Sequence, residues 1–433
     1  MKKINIITIA AGLIILQSCA TQKTPQSIIT QEEVSRVIKT LSADDMLGRS
    51  ALKPNEIGKA ADFISSEFKK AGLKYFDGAT TYRQNFTMSN IKPEGGQLTI
   101  NGKEVSAESF GVSSSKENVT MNSLPQILKI EKGDNFNAKY RQALNGDKDL
   151  LVCIDESFKS TFSRVRSFLN RGNMAASDKK ETPSIVFLLT NETPLNMSLQ
   201  FKNKITPMPM FNVVGVLPGK SKPNDYVVFS GHYDHLGIIK ATNQDSIANG
   251  ADDDASGTTA VIELAKYFAQ KKDNERTLIF VAFTAEEIGG YGSQYFSKKL
   301  NPDQTVAMFN IEMIGKESKF GINNAFITGY ERSDFGQILQ KNLEGTAFKF
   351  YPDPYPSQNL FFRSDNATLA RLGVPAHTIS SDQIDTDKLY HSVDDEFESM
   401  NISNITEIIK AIAISSTSII NGKDTPSRVS GVE

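Results

Sequence analysis

Three carboxylates stand side by side at Asp252, Asp253 and Asp254, between Gly250-Ala251 and Ala255-Ser256-Gly257. Adjacent like charges repel, and each resists losing its water, so the run asks for either open solvent or a cation. Other potential ligands follow in the same half of the chain: Gly231-His232-Tyr233-Asp234-His235, the pair Glu286-Glu287, Glu312, and His391 within "LYHSVDD". A pair of zinc ions held ~3.5–4 Å apart needs a bridging carboxylate, with imidazole and carboxylate ligands on each side. Zinc accepts both ligand types and commonly leaves a position open for water. Asp253, in the middle of the triplet, is the expected bridge, because two cations would neutralise the repulsion around it.

The elements that must position these groups alternate in type. From Phe211 onward, apolar runs such as "FNVVGVLPG", "DYVVFSGHYD", "RTLIFVAFTAEE", "TVAMFNIEMIG", "AFITG" and "PAHTIS" read as strands. Helical stretches separate several of them, as in "SGTTAVIELAKYFAQ", "GSQYFSKKL", residues 333–345 and 365–372, and a closing helix follows Asn401. β-Branched runs alternating with amphipathic helices predict an α/β fold, a mostly parallel mixed sheet with helices on both faces. Ligands in such sheets gather at the carboxyl ends of strands. His232, Glu286-Glu287 and Glu312 end strands, the triplet opens the next helix, and His391 follows "PAHTIS". Five separate stretches therefore converge on one edge.

Upstream, residues 31–42 and 56–72 carry helical periodicity, with Ala60, Phe63, Ile64 and Phe68 on one stripe and Gly72 as the stop. "TYRQNFTM" then reads as a strand. The texture changes between residues 92 and 208, where the strands "DLLVCID" and "PSIVFLLT" flank a helical "FSRVRSFLNRG". This predicts a smaller inserted α+β domain over 92–208, with 31–91 and 209–433 forming one larger domain.

The set "GHYDHLG…NGADDDASG…TAEEIGGYGS…NIEMIG…YHSVDD" resembles the co-catalytic two-zinc exopeptidases, the family of bacterial leucyl aminopeptidases, glutamate carboxypeptidase II and glutaminyl cyclase. The resemblance implies one zinc on His232, Asp253 and Glu312, and a second on Asp253, Glu287 and His391. It implies Glu286 as general base, Asp234 as acceptor for the free ring nitrogen of His232, and Tyr390 as donor to the developing oxyanion. A cis peptide at Asp253–Asp254 is implied as well. Two positions depart from the pattern: Glu312 stands where the family usually has Asp, and Asn366 where relatives often have a pocket-lining His. The insert resembles the protease-associated domain found at this point in some members, with a lid-like role implied. The activity implied is that of an aminopeptidase on peptide substrates. Rival readings are a carboxypeptidase or dipeptidase on the same scaffold, a glutaminyl cyclase-like transferase, and a non-catalytic binding module.

The remaining candidates have plainer readings. His235 reads as a residue supporting a ligand or as pocket wall, not as a ligand itself, His377 as a satisfied core residue, Asp252 and Asp254 as structural or as supports for ligands, and Asp394 and Asp395 as a solvated turn. Arg363 is read equally as a contact for a substrate carboxylate or as a surface arginine. A composition of 39% hydrophobic and 23% charged residues with formal charge −2 gives no electrostatic reason to expect nucleic acid. The opening "MKKINIITIAAGLIILQSC" has a basic start and an apolar run shorter than the ~20 residues of a membrane span. Its Leu16-Gln17-Ser18-Cys19 resembles a bacterial lipoprotein signal. That implies a signal peptide over 1–18, lipid on Cys19, a tether over 19–30 and a place in the bacterial cell envelope, on the outer membrane facing the periplasm. Only Cys19 and Cys153 are present, so lipidation of the first leaves no intrachain disulfide. Nothing in the sequence reads oligomeric state.

Overall fold

A computed structural model describes residues 24–177 and 181–430. The expected signal peptide and Cys19 lie outside the described residues. Among those described, no helix is long and apolar enough to cross a membrane. Residues Pro25–Ile28 form a short helical turn, and Ile29 behind it is fully buried.

Two amphipathic helices lead into the sheet. The first, α1 (Gln31–Leu41), buries Val34, Val37, Ile38 and Leu41. The second, α2 (Pro54–Ala71), opens on a proline, whose missing N–H is harmless in a first turn. It closes on Gly72 at φ 76°, the left-handed conformation that a residue without Cβ adopts most cheaply. Ala60, Ile64 and Phe68 of its predicted stripe are fully buried.

The sheet itself is mixed. Its principal strands are β1 (Arg83–Ile100), β2 (Met197–Leu217), β3 (Lys222–His232), β4 (Arg276–Phe283), β5 (Thr305–Ile311), β6 (Asn324–Ile327), β7 (Lys349–Pro352) and β8 (Ala376–Ser380). The spatial order is β7-β6-β8-β5-β3-β4-β2-β1. The four central strands β8, β5, β3 and β4 are mutually parallel, so their carboxyl ends share one edge. β4 and β5 are buried at every position, as strands covered on both faces must be. Helix α3 (Gly257–Lys271) links β3 to β4 and packs against β3, while α4 (Ile402–Ser415) packs against α1 and α3.

The 92–208 region is joined to this sheet without a break. β1 and β2 pair antiparallel from Arg83↔Val213 out to Ile100↔Met197, with one irregularity between Lys202 and Asn203. This two-stranded ribbon carries a second, four-stranded sheet of Phe110–Ser113, Ile185–Leu189, Leu150–Ile154 and Gln126–Ile130. Its parallel pair, 150–154 and 185–189, flanks a helix at Lys159–Arg171. Cys153 is buried there, and burial pushes its thiol up to about 11, which marks it as a packed, unreactive group.

Candidate metal centre and active site

The shared strand edge brings the predicted ligands together. Asp253 lies between two histidines: its Oδ1 is 3.1 Å from His232 Nε2 and its Oδ2 is 3.3 Å from His391 Nε2. Glu287 Oε2 is 3.1 Å from the same His391 nitrogen. On the other side, His232, Asp253 and Glu312 offer ligand atoms within 4.8 Å of one another. Glu312 Oε2 is buried with no hydrogen-bond partner, and His232 Nε2 is buried with only the Asp253 carboxylate beside it. Orphaned buried acceptors are costly, and a nitrogen and two carboxylates aimed at one point form a donor set suited to zinc. The residues present therefore fit the metal that the sequence implies.

Local backbone explains how three acidic residues are accommodated. The Asp253–Asp254 peptide is cis, and the three side chains go to different places. Asp254 turns away from the site and accepts from the backbone N–H of His232 (3.0 Å), Gly257 (3.0 Å) and Met313 (3.1 Å). Asp252 accepts from Gly315 N–H at 2.7 Å. Asp253 alone faces the histidines. The glycine at 257 is required by close approach, since a Cβ there would lie 2.0 Å from the Ile311 carbonyl oxygen. Three non-glycine residues beside or within the ligand set, Ala285 (φ 61°), Met313 (φ 50°) and His391 (φ 58°), take left-handed backbone, a conformation that collects at functional sites.

The electrostatics are those of many acids sharing little water. Burial, opposed by His232 and aided by nearby carboxylates, pushes Glu312 up to about 7 and Glu286 well above the ordinary range. Asp253 goes the other way: burial raises it, but contacts with His232 and His391 hold it well below the usual carboxylate value. His391 is also partly buried, which disfavours its cation, yet Asp253 and Glu287 carry it up to about 10. A bound dication would take over the role of those protons.

Three expectations need correction. The Asp234 carboxylate does not meet the free nitrogen of His232; it lies 3.8 Å away, and the Asp234 backbone carbonyl, at 3.1 Å, takes that place. The carboxylate instead accepts from the N–H of Glu286 (3.1 Å) and Glu287 (3.4 Å), fixing the turn that carries base and ligand. Asp395 is no solvated turn: it is 1% exposed, and its carboxylate accepts from Asp252 N–H and Asp253 N–H at 3.0 Å each. Asn366 is fully buried and spends its amide on Phe361 O, Ala376 O and Thr378 Oγ1, away from the cavity lining. Of the two readings of His235, the structure favours the support of a ligand: its Nδ1 is 2.7 Å from Glu287 Oε1. His377 is in the core as read, between Thr328 O and Ser333 Oγ.

One residue that sequence reading passed over is Arg49. It is fully buried and donates to four backbone carbonyls: Tyr233 (2.8 Å), Leu41 (2.6 Å), Asn249 (2.5 Å) and Gly250 (2.8 Å). Three of those carbonyls belong to the two loops that carry His232 and the aspartate triplet. Nothing in "DDMLGRS" announces a partner about two hundred residues away.

A cavity of about 600 Å³ opens over the site, lined by Glu286, Glu287, Asp253, Glu312, Tyr390 and His391 on the metal side. Tyr390 stacks on His391 with ring centroids 3.9 Å apart. Arg363 lines the cavity from an exposed position.

Comparison with known proteins agrees with this geometry. The first solved structures matched are an aminopeptidase from Aneurinibacillus sp. strain AM-1 (TM-score 0.54, 17% identity, covering 95% of this chain and 97% of that one) and a zinc aminopeptidase from Bacillus subtilis (TM-score 0.54, 16% identity, 90% and 95% covered). At these identities the likeness is one of fold. Among curated sequences, a protein of Pyrenophora teres f. teres named "Probable zinc metalloprotease" is 37% identical over 114 residues, 26% of this chain and 23% of that protein. "Leucine aminopeptidase 1" of Penicillium rubens is 27% identical over 220 residues, 47% of this chain and 54% of that protein. The chain thus spans about a quarter to a half of the length of these curated relatives. The model of Peptidase family M28 matches residues 212–415. That stretch holds every candidate ligand from His232 to His391, and over it the chain is similar to peptidase family M28.

Proposed function

We propose that the protein is a two-zinc exopeptidase acting as an aminopeptidase on peptides. The observation that supports it best is Asp253 standing between His232 and His391, with Glu312 at one end and Glu287 at the other. In this reading His232, Asp253 and Glu312 would hold one zinc, and Asp253, Glu287 and His391 the other, with His235 orienting Glu287. When bound, the metals would polarise the scissile carbonyl and acidify water.

The chain's own residues supply the rest. Glu286 takes the proton of the attacking water and returns it to the leaving amine. Its carboxyl, already inclined by burial to hold a proton, suits that second step. Asp234 keeps the Glu286-Glu287 turn in place through two N–H···O bonds. Tyr390, whose hydroxyl burial keeps protonated, donates to the carbonyl oxygen as charge develops. The N-terminal lipid on Cys19, and with it a place on the outer membrane facing the periplasm, belongs to the same proposal; mass measurement of the membrane-extracted protein tests it.

Metal analysis of purified protein beside hydrolysis of aminoacyl amides tests the enzymatic reading. Two zincs with cleavage are expected, and Glu286→Gln should lose turnover while keeping both metals. Undiminished turnover in that variant would remove Glu286 from the role of base.

A further inference from the structure

Asp382 is 3% exposed, and neither oxygen of its carboxylate has a hydrogen-bond partner. It is among the residues that line the active-site cavity. Behind it stand Asp252 and Asp387, the three offering oxygens within 4.8 Å of one another. A single ammonium serves the group: Lys316 Nζ is 2.6 Å from Asp387 Oδ2 and 3.4 Å from Asp252 Oδ2. Three acids with one cation leave Asp382 unmatched. A buried carboxylate in this position calls for a cation, and Asp382 borders the active-site cavity.

Its place relative to the metal centre follows from the sheet. β5 ends at Glu312 and β8 runs beside it, with Glu312 N–H donating to Ile379 O and Ser381 N–H to Met313 O, both at 3.1 Å. Asp382 is therefore one residue past a backbone bond to Met313, which itself follows a candidate ligand. Met313, Phe326, Ile384 and Tyr390 line the same cavity. Apolar walls leading to a buried carboxylate form a pocket for a long aliphatic side chain that ends in charge. Arg363 and Arg371 line the cavity from another segment and are exposed, where solvent screens them.

We propose that Asp382 determines specificity, receiving the cationic end of a substrate's N-terminal Lys or Arg side chain. The inference rests on the aminopeptidase reading above, so its test has two arms. The first compares kcat/KM for lysyl, arginyl and leucyl amides. The basic substrates should lead by about tenfold or more, as expected when a buried charge must be matched, and in Asp382→Asn that ratio should collapse toward one. Asp382→Glu, which keeps the charge, should retain part of the preference and so separates charge from misfolding.

The second arm needs no turnover. Calorimetry on zinc-loaded Glu286→Gln protein should show lysinamide binding more tightly than leucinamide, with the difference lost on adding Asp382→Asn. Hydrolysis with no basic preference, or a preference that survives Asp382→Asn, overturns the proposal and leaves the aminopeptidase reading standing. A lysinamide preference without hydrolysis of any amide upholds Asp382 and sinks the reading of activity. Calcium binding that depends on Asp382, with no lysinamide preference, would overturn the proposal in favour of a metal on the three carboxylates.

Discussion

Arg49 Nη1 donates to the carbonyl oxygen of Asn249 at 2.5 Å, and its Nε to that of Tyr233 at 2.8 Å. One guanidinium thereby joins the loop of His232 to the loop of the aspartate triplet. It has no carboxylate in contact; its charge is spent on carbonyls beneath a site crowded with Asp253, Asp234, Asp254 and Asp395. Arg49→Met would leave the Leu41, Tyr233 and Asn249 carbonyls unmatched, at about 1–3 kcal/mol each before relaxation, while Gly250 O keeps the N–H of Ala255. Expected are a loss of about 3 kcal/mol or more in urea unfolding and zinc affinity weaker by about 10–100-fold, the scale found when groups supporting metal ligands are removed. Arg49→Lys should recover only part, since an ammonium lacks the planar fork. Chelator competition on folded Arg49→Lys protein decides it: unchanged zinc affinity would reduce Arg49 to a packing residue.

Asp395 supports the triplet from the other side. Its carboxylate is the acceptor for both Asp252 N–H and Asp253 N–H, so the position of Asp253 depends on a residue four places after His391. Asp395→Ala should destabilise the metal-free protein by about 2 kcal/mol or more, each orphaned donor contributing about 1–3. Zinc affinity should fall by about tenfold. If the variant unfolds at the wild-type urea midpoint, the two bonds carry no weight.

The contrast between Asp253 and Asp395 shows how far the sequence could be read. Asp253 was legible because strand pattern and spacing placed His232, Glu287, Glu312 and His391 at one sheet edge, and a parallel sheet leaves few other arrangements. The alternation of elements and the strands flanking Lys159–Arg171 were legible from the same periodicity, whereas the family resemblance rested on the motifs around His232, Asp253, Glu287, Glu312 and His391. Asp395 was misread because a polar run near a loop looks the same whether its carboxylate meets water or two backbone N–H groups. Asp234 was assigned to the wrong partner because its own carbonyl competes for the same imidazole, a contest settled by loop geometry. Arg49 left no local trace at all. Nor could composition show that β1 and β2 run through the expected boundaries at 92 and 208 as one ribbon.

Glu312 departs from the family's usual Asp, and the structure gives it a defined place. It is half-buried, its Oε2 is buried without a partner, and it groups with His232 and Asp253. On the proposed two-zinc reading, Glu312→Ala should lower bound zinc from two to one per chain, the remaining ion held by Asp253, Glu287 and His391. Elemental analysis after dialysis against buffered zinc measures this directly. Retention of two ions would show that Glu312 is no ligand.

His377 gives a prediction about pH that does not involve the metals. Its Nδ1 lies 2.9 Å from Thr328 O and its Nε2 2.7 Å from Ser333 Oγ, with the ring stacked on Phe335. A neutral ring donating from Nδ1 and accepting at Nε2 satisfies both contacts. Burial holds its pKa down to about 4, against ~6.5 for an unfolded chain. The native state thus refuses a proton that the unfolded state accepts. The stabilisation is complete above about pH 6.5 and is lost as pH falls toward 4, where it levels off. At 1.4 kcal/mol per pH unit the full span is on the order of 3 kcal/mol. His377→Gln removes the titrating group, and urea unfolding of both proteins from pH 8 to pH 4 isolates its share, because every other group titrates alike in the two. The variant's deficit should be largest at pH 8 and shrink by roughly that amount at pH 4; a deficit constant across the range would mean that His377 binds its proton equally well folded and unfolded.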